Sequence, residues 1–219
     1  MSIKPTENQA EFIRSIIENV VTICAGPAGT GKSMWAAKTA ISQLHQSQKI
    51  LAKNPNAQGI KQVVFCRNIV NVGRSIGYYP GGYEEKCEPY FAYMDNYVRK
   101  FLDKEYADYI KTEKIKYIPV EMMRGQTYDN SIILVDEVQN LMPIEIKTVL
   151  TRIGKNSKIC LMGDLKQKDS PSGCENGLEK VIELLTNMHD VGIIRMNTND
   201  IKRNSIIAPI LIKFNENGY

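Results

Sequence analysis

The sequence is poor in the residues that build metal centres and disulfide frameworks. Its two histidines, His45 and His189, are far apart, and none of its five cysteines forms a C-x-x-C pair. Structural zinc sites need closely spaced ligands, and disulfide scaffolds are short chains dense in cysteine, so the pattern argues against both classes. We interpret the cysteines as reduced core thiols of a cytoplasmic protein. They are Cys24, Cys66, Cys87, Cys160 and Cys174.

Long hydrophobic runs are absent as well. The start, Met1 to Thr6, has no apolar signal core. The apolar run from Ile206 to Ile212 is interrupted by Pro209 and is far shorter than the roughly 20 residues that span a bilayer. We find no internal repeat, low-complexity segment or long linker. We therefore expect a single domain over residues 1–219 and no membrane partner.

Neither sign of charge dominates the composition. The chain has 28 basic and 24 acidic residues, which gives a formal net charge of +4. This mildly basic balance permits a nucleic-acid partner without demanding one. Hydrophobic residues make up 43% of the chain, which is enough for a substantial core at this length.

The first distinctive feature that is present is a glycine-rich loop after the β-branched run Val20 to Ile23. It fits G-x-x-x-x-G-K-[ST], the phosphate-binding P-loop. The residues that we expect to contact the nucleotide here are Gly26, Pro27, Ala28, Gly29, Thr30, Gly31, Lys32 and Ser33. The glycines do not follow G-x-G-x-x-G, so the loop is not a dinucleotide fingerprint.

Each part of the loop has a chemical role. Gly26, Gly29 and Gly31 let the backbone turn tightly, so that its N–H groups can point at phosphate oxygens. Lys32 supplies a positive charge for the β- and γ-phosphates, and the Ser33 hydroxyl is placed to ligand Mg²⁺. A helix that starts here adds its positive N-terminal dipole. The alternative is a plain glycine turn between a strand and a helix, which leaves the complete G-K-S unexplained.

A second apolar run, residues 131–135, ends in the adjacent carboxylates Asp136 and Glu137. We expect Asp136, at the carboxyl end of a strand, to hold Mg²⁺ directly or through water. We expect Glu137 to polarise the water that attacks the γ-phosphate. The alternative is a solvated acidic turn, but the pairing with a P-loop favours the catalytic interpretation.

Strand and helix patterns alternate along the chain, which predicts an α/β fold with a mostly parallel sheet flanked by helices. Besides the strand before the P-loop, we predict strands at residues 62–67, 114–120, 131–137, 158–162 and 191–196. A polar residue just past a strand that neighbours the catalytic strand can reach a γ-phosphate. Asp164 and Gln167, which follow the strand at 158–162, are therefore candidate sensors of nucleotide state.

Gln9 has two interpretations. Thr6 and Gln9 have the spacing of a capping box at the start of a helix, whose apolar residues then recur at helical spacing. Alternatively, the Gln9 amide reads adenine, because an amide can both donate to and accept from the edge of that base. By itself the sequence favours the cap.

The segment from residue 68 to residue 119 interrupts the α/β pattern as a loop and helical insertion. Nine of the eleven tyrosines lie between Tyr78 and Tyr117, interleaved with lysines and arginines. Such mixtures suit single-stranded nucleic acid, where rings stack on bases and cations follow the backbone. However, Tyr90, Tyr93 and Tyr97 fall at helical spacing, which indicates that some of the rings belong to the core. The sequence leaves both interpretations open.

Several blocks of the chain, taken together and in order, resemble the PhoH family of P-loop ATPases, relatives of superfamily 1 helicases. The resemblance covers nearly the whole chain. Its blocks are residues 6–9, 26–33, 74–82 with 85–86, 123–125, 136–140, 150–154, 163–167 and 200–203. The compact length is similar to the short PhoH proteins of bacteria and phages, which would place a phage-encoded copy in the host cytoplasm.

This resemblance implies a single RecA-like ATPase domain that uses ATP and Mg²⁺. It also implies ring-shaped homo-oligomers, such as hexamers, and a role in RNA or DNA metabolism, often tied to phosphate starvation. By match to the family pattern, Gln9 becomes an adenine contact and residues 163–167 correspond to the helicase-like sensor motif. No appended RNA-binding or nuclease domain is evident, which puts processive unwinding by this chain alone in doubt.

Fast phosphoryl transfer in this class usually needs an arginine from outside the P-loop, worth about 10³ to 10⁵ in rate. The chain has room for only one core domain, so we expect a neighbouring subunit to supply the arginine. The candidates are Arg152 and Arg203, with Arg124 as a third choice. For each of them the alternative role is a structural ion pair.

Three functions follow as hypotheses. The first is an ATPase that moves on or opens nucleic acid, and the second is a nucleotide-gated binding or assembly module without unwinding. The third is a small-molecule P-loop kinase, which is disfavoured because adjacent Asp136 and Glu137 favour water as the acceptor. Stimulation of ATP turnover by RNA or single-stranded DNA separates the first two.

Overall fold

The structure is a computed structural model that describes residues 4–69, 83–167, 176–202 and 206–216, without the side chains at 83–86, 207, 208, 211 and 215. Several predictions lie outside these residues. They are the block at residues 74–82 that carries part of the family resemblance, Arg203 as an arginine donor, and Cys174 as a core thiol.

Six strands form one parallel sheet in the order β3-β2-β4-β5-β1-β6. The strands are β1 (Val21–Ala25), β2 (Gln62–Arg67), β3 (Ile115–Pro119), β4 (Ser131–Asp136), β5 (Lys158–Gly163) and β6 (Val191–Arg195). They agree with the predicted strands to within one or two residues, and the parallel α/β prediction is confirmed.

Seven α-helices of the described chain flank this sheet or follow it. They are α1 (Glu7–Glu18), α2 (Lys32–Lys53), α3 (Tyr83–Leu102), α4 (Tyr106–Lys111), α5 (Pro143–Leu150), α6 (Gly177–Leu185) and α7 (Ile207–Glu216). Short 3-10 turns occur at Asp103–Glu105, Val120–Met123, Val138–Asn140 and Thr198–Asp200. None of the described helices combines the length and apolar character that crossing a bilayer requires.

Two helix lengths differ from the sequence prediction. The sequence pattern after the P-loop predicts a helix from Met34 to about Gln46, but α2 continues to Lys53. It ends there because Pro55 disfavours helical backbone at the preceding residue, Asn54. The sequence pattern from Gly177 predicts a helix that reaches Met188, but α6 ends at Leu185. The backbone at Asn187 is left-handed, with φ 67°, and this conformation ends a helix.

The core lies in two layers, one on each face of the sheet. One layer packs α1, α2, α3 and α4 on the sheet, with Phe12, Leu44 and Met94 among its fully buried side chains. The other packs α5 and α6 on the opposite face, through residues such as Ile146 and Leu178. Both faces of the sheet are therefore covered, as parallel sheets require.

Residues 83–119 of the tyrosine-rich segment form α3, α4 and the edge strand β3 of the same sheet. Tyr109 is buried, and Tyr93, Tyr97, Tyr106 and Tyr117 pack partly buried against the core. The prediction that helical spacing places some of these rings in the core is confirmed. These rings therefore offer little free surface for stacking on bases.

Candidate functional site: the P-loop cleft

The order of the strands brings the predicted nucleotide residues together at one edge of the sheet. β5 lies between β1 and β4, so the loop after β1, Asp136 at the end of β4 and Asp164 after β5 meet at the carboxyl ends of neighbouring strands. The Gly26 N–H donates to the Gly163 carbonyl at 3.1 Å and joins the P-loop to β5. Ligands bind at this edge in open α/β sheets.

Glycine is required at different positions of the loop for different physical reasons. Gly29 and Gly31 have φ 85° and 83°, a left-handed backbone that other residues rarely adopt. Gly26 is required instead by close packing, since a Cβ there would lie 2.7 Å from the Cβ of Met196. Thr30 closes the loop by donating its hydroxyl to the Pro27 carbonyl at 2.8 Å.

Lys32, the first residue of α2, folds back over the loop. Its Nζ donates to the Gly26 carbonyl at 2.5 Å and to the Pro27 carbonyl at 3.0 Å. The ammonium therefore lies against the P-loop backbone at the start of a helix, where the dipole also favours an anion. This arrangement of positive groups is suited to binding an anion.

Ser33 and Asp136 come from different elements and bond directly. The Ser33 hydroxyl donates to Asp136 Oδ2 at 2.7 Å, although the residues are 103 positions apart in the sequence. Paired oxygen donors of this kind fit Mg²⁺, which takes one or two protein oxygens and completes its shell with phosphate and water. Among the described residues, no three or more His, Cys, Asp or Glu side chains group as a metal site, so phosphate oxygens and water would have to complete such a shell.

Glu137 sits beside Asp136 on a strained turn. Its backbone is left-handed, with φ 56°, a conformation that costs energy for a residue with a side chain. The turn aims the carboxylate into the cleft, where Oε2 accepts a hydrogen bond from Gln139 Nε2 at 2.6 Å. On the other side, Arg67 Nη2 lies 4.0 Å from Oε1.

Gln139 is a site residue that the sequence analysis missed. Its side chain is only 1% exposed, and while Nε2 donates to Glu137, Oε1 accepts the backbone N–H of Asp164 at 3.1 Å. The amide therefore connects the end of β5 to the carboxylate. The available signal was a polar side chain two positions after Glu137, within the block 136–140 of the family resemblance.

Tyr93 is a second missed residue. Its hydroxyl donates to Asp136 Oδ2, the oxygen that also accepts from Ser33, and the Arg67 guanidinium lies 5.2 Å from its ring centroid. Burial, followed by the charge of Asp136, raises the pKa of Tyr93 well above its ordinary value, so the phenol is a donor. No local sequence signal separates this tyrosine from its neighbours.

Gln9 forms the capping box that the sequence predicted. Its N–H donates to the Thr6 hydroxyl at 3.2 Å, and the Thr6 N–H donates to Gln9 Oε1 at 3.0 Å. Its Nε2 also donates to the carbonyls of Thr30 and Asp200, each at 2.9 Å. Gln9 thus joins α1 to the P-loop and to the segment after β6.

Asp164 and Gln167 both line the cleft with Lys32, Ser33 and Glu137. Asp164 is buried, and its Oδ1 accepts the Lys166 N–H at 3.0 Å. The Gln167 side chain is exposed at the mouth of the cleft. The structure thus brings both candidate sensors to the cleft.

The described arginine candidates do not line the cleft of their own chain. Arg152 follows α5, and its carbonyl accepts the Tyr128 N–H at 3.0 Å. Tyr128 comes just before β4 begins, so Arg152 lies near the amino end of β4, whereas Asp136 lies at its carboxyl end. Its guanidinium donates to the Thr148 and Gln126 carbonyls at 3.1 and 3.2 Å. Arg124 is exposed.

The thiol nearest the P-loop carries no catalytic signature. Cys24 lies in β1, and burial raises its pKa to about 12, although the Lys32 charge acts in the opposite direction. The four described cysteines are buried, as the prediction of core thiols expects. A thiol held protonated is a weak nucleophile.

The fold and this cleft define the class of P-loop NTPases with a RecA-like core. The large terminase of a thermophilic bacteriophage, solved in complex with ADP, has a similar fold. The TM-score is 0.51 at 9% sequence identity, and the match covers 96% of this chain and 50% of the terminase chain. At this identity the likeness concerns the fold.

Within that class, the chain belongs to the family of PhoH-like proteins, whose pattern it matches over residues 2–215. PhoH-like proteins of Synechocystis and Bacillus subtilis are each 31% identical to it over 207 residues, or 94% of this chain. The match covers 60% and 61% of these relatives, so the chain spans somewhat under two thirds of their length.

Proposed function

We propose that this protein is a Mg²⁺-dependent ATPase that works as a homo-oligomer and couples ATP hydrolysis to the binding or remodelling of RNA or single-stranded DNA. The observation that carries the proposal is the hydrogen bond of 2.7 Å between Ser33 and Asp136, with Lys32 and Glu137 in the same cleft. These are the cation, the metal-binding oxygens and the carboxylate base that phosphoryl transfer to water requires.

In this proposal the P-loop N–H groups and the helix dipole of α2 bind the phosphates. Lys32, which contacts two loop carbonyls, turns its ammonium to the β- and γ-phosphate oxygens. Mg²⁺ would be held by Ser33 and Asp136 and would neutralise charge on the phosphates. Glu137 takes a proton from the attacking water, and Gln139 and Arg67 hold its carboxylate from two sides.

Adenine is the base that we propose. Gln9 lies against the P-loop through the Thr30 carbonyl, which supports a role near the nucleotide. To contact adenine, the Gln9 amide exchanges a hydrogen bond to Thr30 or Asp200 for one to the base. Gln167, at the mouth of the cleft, senses the γ-phosphate in the same proposal.

Oligomerisation is supported by the position of Arg152. The residue lies near the amino end of β4, whereas Asp136 lies at its carboxyl end, so Arg152 can reach a nucleotide only in another copy of the chain. The proposal of a nucleic-acid partner rests on family membership, and the net charge of +4 permits it. The described tyrosine rings pack against the core and add no support.

Hydrolysis assays on three proteins test the enzyme proposal. The wild type should hydrolyse ATP only with Mg²⁺, and Lys32→Ala should lose nucleotide binding. Glu137→Gln should keep binding and lose about 10²- to 10⁴-fold in turnover, because a general base contributes about that much. Glu121→Gln, the same change at an exposed position, is the matched control. Normal turnover by Glu137→Gln would remove Glu137 from the mechanism.

The same assay with RNA or single-stranded DNA tests the coupling. A rise in turnover that weakens with salt supports action on nucleic acid, because phosphate contacts release counterions. If nucleic acid neither stimulates turnover nor binds in a salt-sensitive way, the result favours the second candidate, a nucleotide-gated assembly module. That candidate is favoured by Tyr93 and Arg67, which tie the cleft carboxylates to α3.

A further inference from the structure

Helix α3 reaches the cleft through one side chain that the hydrolysis mechanism does not use. Tyr93 lies near the middle of this helix, and its hydroxyl donates to Asp136 Oδ2. The helix packs on α2, which carries Ser33 at its start, so the phenol and the serine approach the same oxygen from neighbouring helices.

The Asp136 carboxylate is almost fully occupied by protein donors. Oδ2 accepts from Ser33 and from Tyr93, and Oδ1 accepts the Glu137 N–H at 3.0 Å. A carboxylate has about four lone-pair sites, so roughly one remains for anything else. Asp136 is only 4% exposed, so the protein donors take the place of water around its charge.

Arg67 makes a second connection between α3 and the cleft. Its guanidinium lies over the Tyr93 ring, donates to the Tyr90 carbonyl at 3.3 Å, and lies 4.0 Å from Glu137. Both cleft carboxylates are thus linked to the same stretch of α3, one through Tyr93 and the other through Arg67.

We propose that Tyr93 is a positioning residue that competes with the metal ion for Asp136 and so couples metal–nucleotide binding to α3. The inference rests on the proposed Mg²⁺–nucleotide site. A cation, or the water bound to it, needs a lone pair and the negative charge of Asp136. The Tyr93 phenol now uses part of both through its hydrogen bond. Binding therefore weakens the Tyr93 hydrogen bond and loosens α3, and by linkage the bond weakens metal binding to the same extent.

The variant Tyr93→Phe keeps the ring under Arg67 and removes only the hydroxyl. The measurement is the Mg²⁺ concentration that gives half-maximal thermal stabilisation by a fixed excess of a non-hydrolysable ATP analogue. The expected concentration is about tenfold or more lower in the variant, because a hydrogen bond to a charged group contributes about 10- to 100-fold to an equilibrium constant. Tyr106→Phe is the matched control, since it removes a tyrosine–aspartate hydrogen bond to Asp95, away from the cleft.

Hydrogen exchange gives a second readout that needs no variant. In the wild type, Mg²⁺ with the analogue should increase amide exchange in residues 83–102, and in Tyr93→Phe this exchange should already be raised without ligand. Equal Mg²⁺ midpoints within twofold in all three proteins, or exchange in α3 that does not respond to Mg²⁺ and the analogue, overturns the inference.

Both measurements avoid turnover, so they separate this inference from the enzyme proposal. Suppose that the wild type binds Mg²⁺ and the analogue, that Tyr93→Phe has the expected lower Mg²⁺ midpoint, and that the wild type hydrolyses no ATP. This result contradicts the ATPase proposal and supports the role of Tyr93. A wild type that the analogue never stabilises, at any Mg²⁺ concentration, overturns both.

Discussion

The side-chain amide of Gln139 donates a hydrogen bond of 2.6 Å to the carboxylate of Glu137. The same amide accepts the N–H of Asp164, so one buried side chain joins the end of β5 to the proposed general base. A shift of the backbone after β5 therefore changes the position of the Glu137 carboxylate. This contact connects the segment that holds the proposed sensor residues to the proposed base.

Replacement of Gln139 by Leu should reduce turnover more than nucleotide binding. The change removes the donor that orients Glu137 and leaves the Asp164 N–H unpaired, so we expect kcat to fall about 10- to 100-fold, as for other supporting residues of catalytic groups. The KM for ATP should change less than about threefold, since Gln139 contacts neither Lys32 nor the P-loop. Steady-state kinetics measure both values, with Gln58→Leu at an exposed position as the control. An unchanged kcat would contradict the positioning role.

Gly163→Ala should disturb the contact between Gln139 and Glu137, because the added methyl group needs space that Gln139 occupies. A Cβ at this position would lie 2.5 Å from Gln139 Oε1 and 2.8 Å from Leu178 Cδ2. We expect a loss of about 1–3 kcal/mol in the free energy of unfolding, as for other overpacked sites, together with reduced turnover. Urea unfolding measures the first effect and ATP hydrolysis the second.

The double variant Gly163→Ala with Gln139→Ala separates the two effects. Removing the Gln139 amide relieves one of the two close contacts, so the combined loss of stability should be smaller than the sum of the single losses. Turnover should stay low, because the contact to Glu137 is still missing. Strict additivity of the two losses would show that the contact between these residues is not the source of the strain.

Arg152 should act on the nucleotide of a neighbouring copy. Arg152→Ala should lower turnover by about 10³-fold or more while each subunit still binds ATP. Mixing it with Lys32→Ala subunits should restore part of the activity, because some interfaces then pair an intact P-loop with an intact arginine. The test is turnover across a series of mixing ratios. Absence of restoration at every ratio would assign Arg152 the structural role that its bonds to Thr148 and Gln126 also support.

Asp200 should stabilise the protein in a pH-dependent way. Burial alone would raise its pKa, but hydrogen bonds from Asn8, Thr6 and the Asn197 N–H, with the nearby Lys202 charge, lower it below its usual range. The stabilisation is therefore complete above the unfolded pKa of about 3.9 and is lost as the pH falls through the lower folded pKa. Asp200→Asn should cost about 1.5–3 kcal/mol at pH 7, as for hydrogen bonds to a charged group.

Urea unfolding of wild type and Asp200→Asn at neutral pH and at about pH 3 checks this sign. The difference in unfolding free energy should be smaller at the acid pH, because Asp200 of the unfolded wild type is protonated below its pKa of about 3.9. Asp190→Asn, at an exposed aspartate, serves as the control. A difference that is constant or larger in acid would contradict the assigned sign.

The sequence predicted the parts of the site that are local in the chain. The P-loop, the adjacent Asp136 and Glu137, and the strands that precede them were recognisable because their chemistry depends on spacing within a few residues. The capping box of Thr6 and Gln9 was predicted for the same reason, and the structure confirms it. Helix ends were less predictable, since α2 continues past Gln46 and ends only where Pro55 disfavours helical backbone.

The tertiary structure alone decided which distant side chains surround those local motifs. Tyr93 and Arg67 meet Asp136 and Glu137 because β2 and β4 are neighbours and α3 packs on α2, and no spacing in the chain encodes that arrangement. It also decided that Gly26 is needed for contact with Met196 and that Arg152 lies away from its own cleft. Short-range patterns determine which chemistry the chain can perform, whereas burial and strand order determine which residues position it, because those contacts join segments that are far apart in sequence.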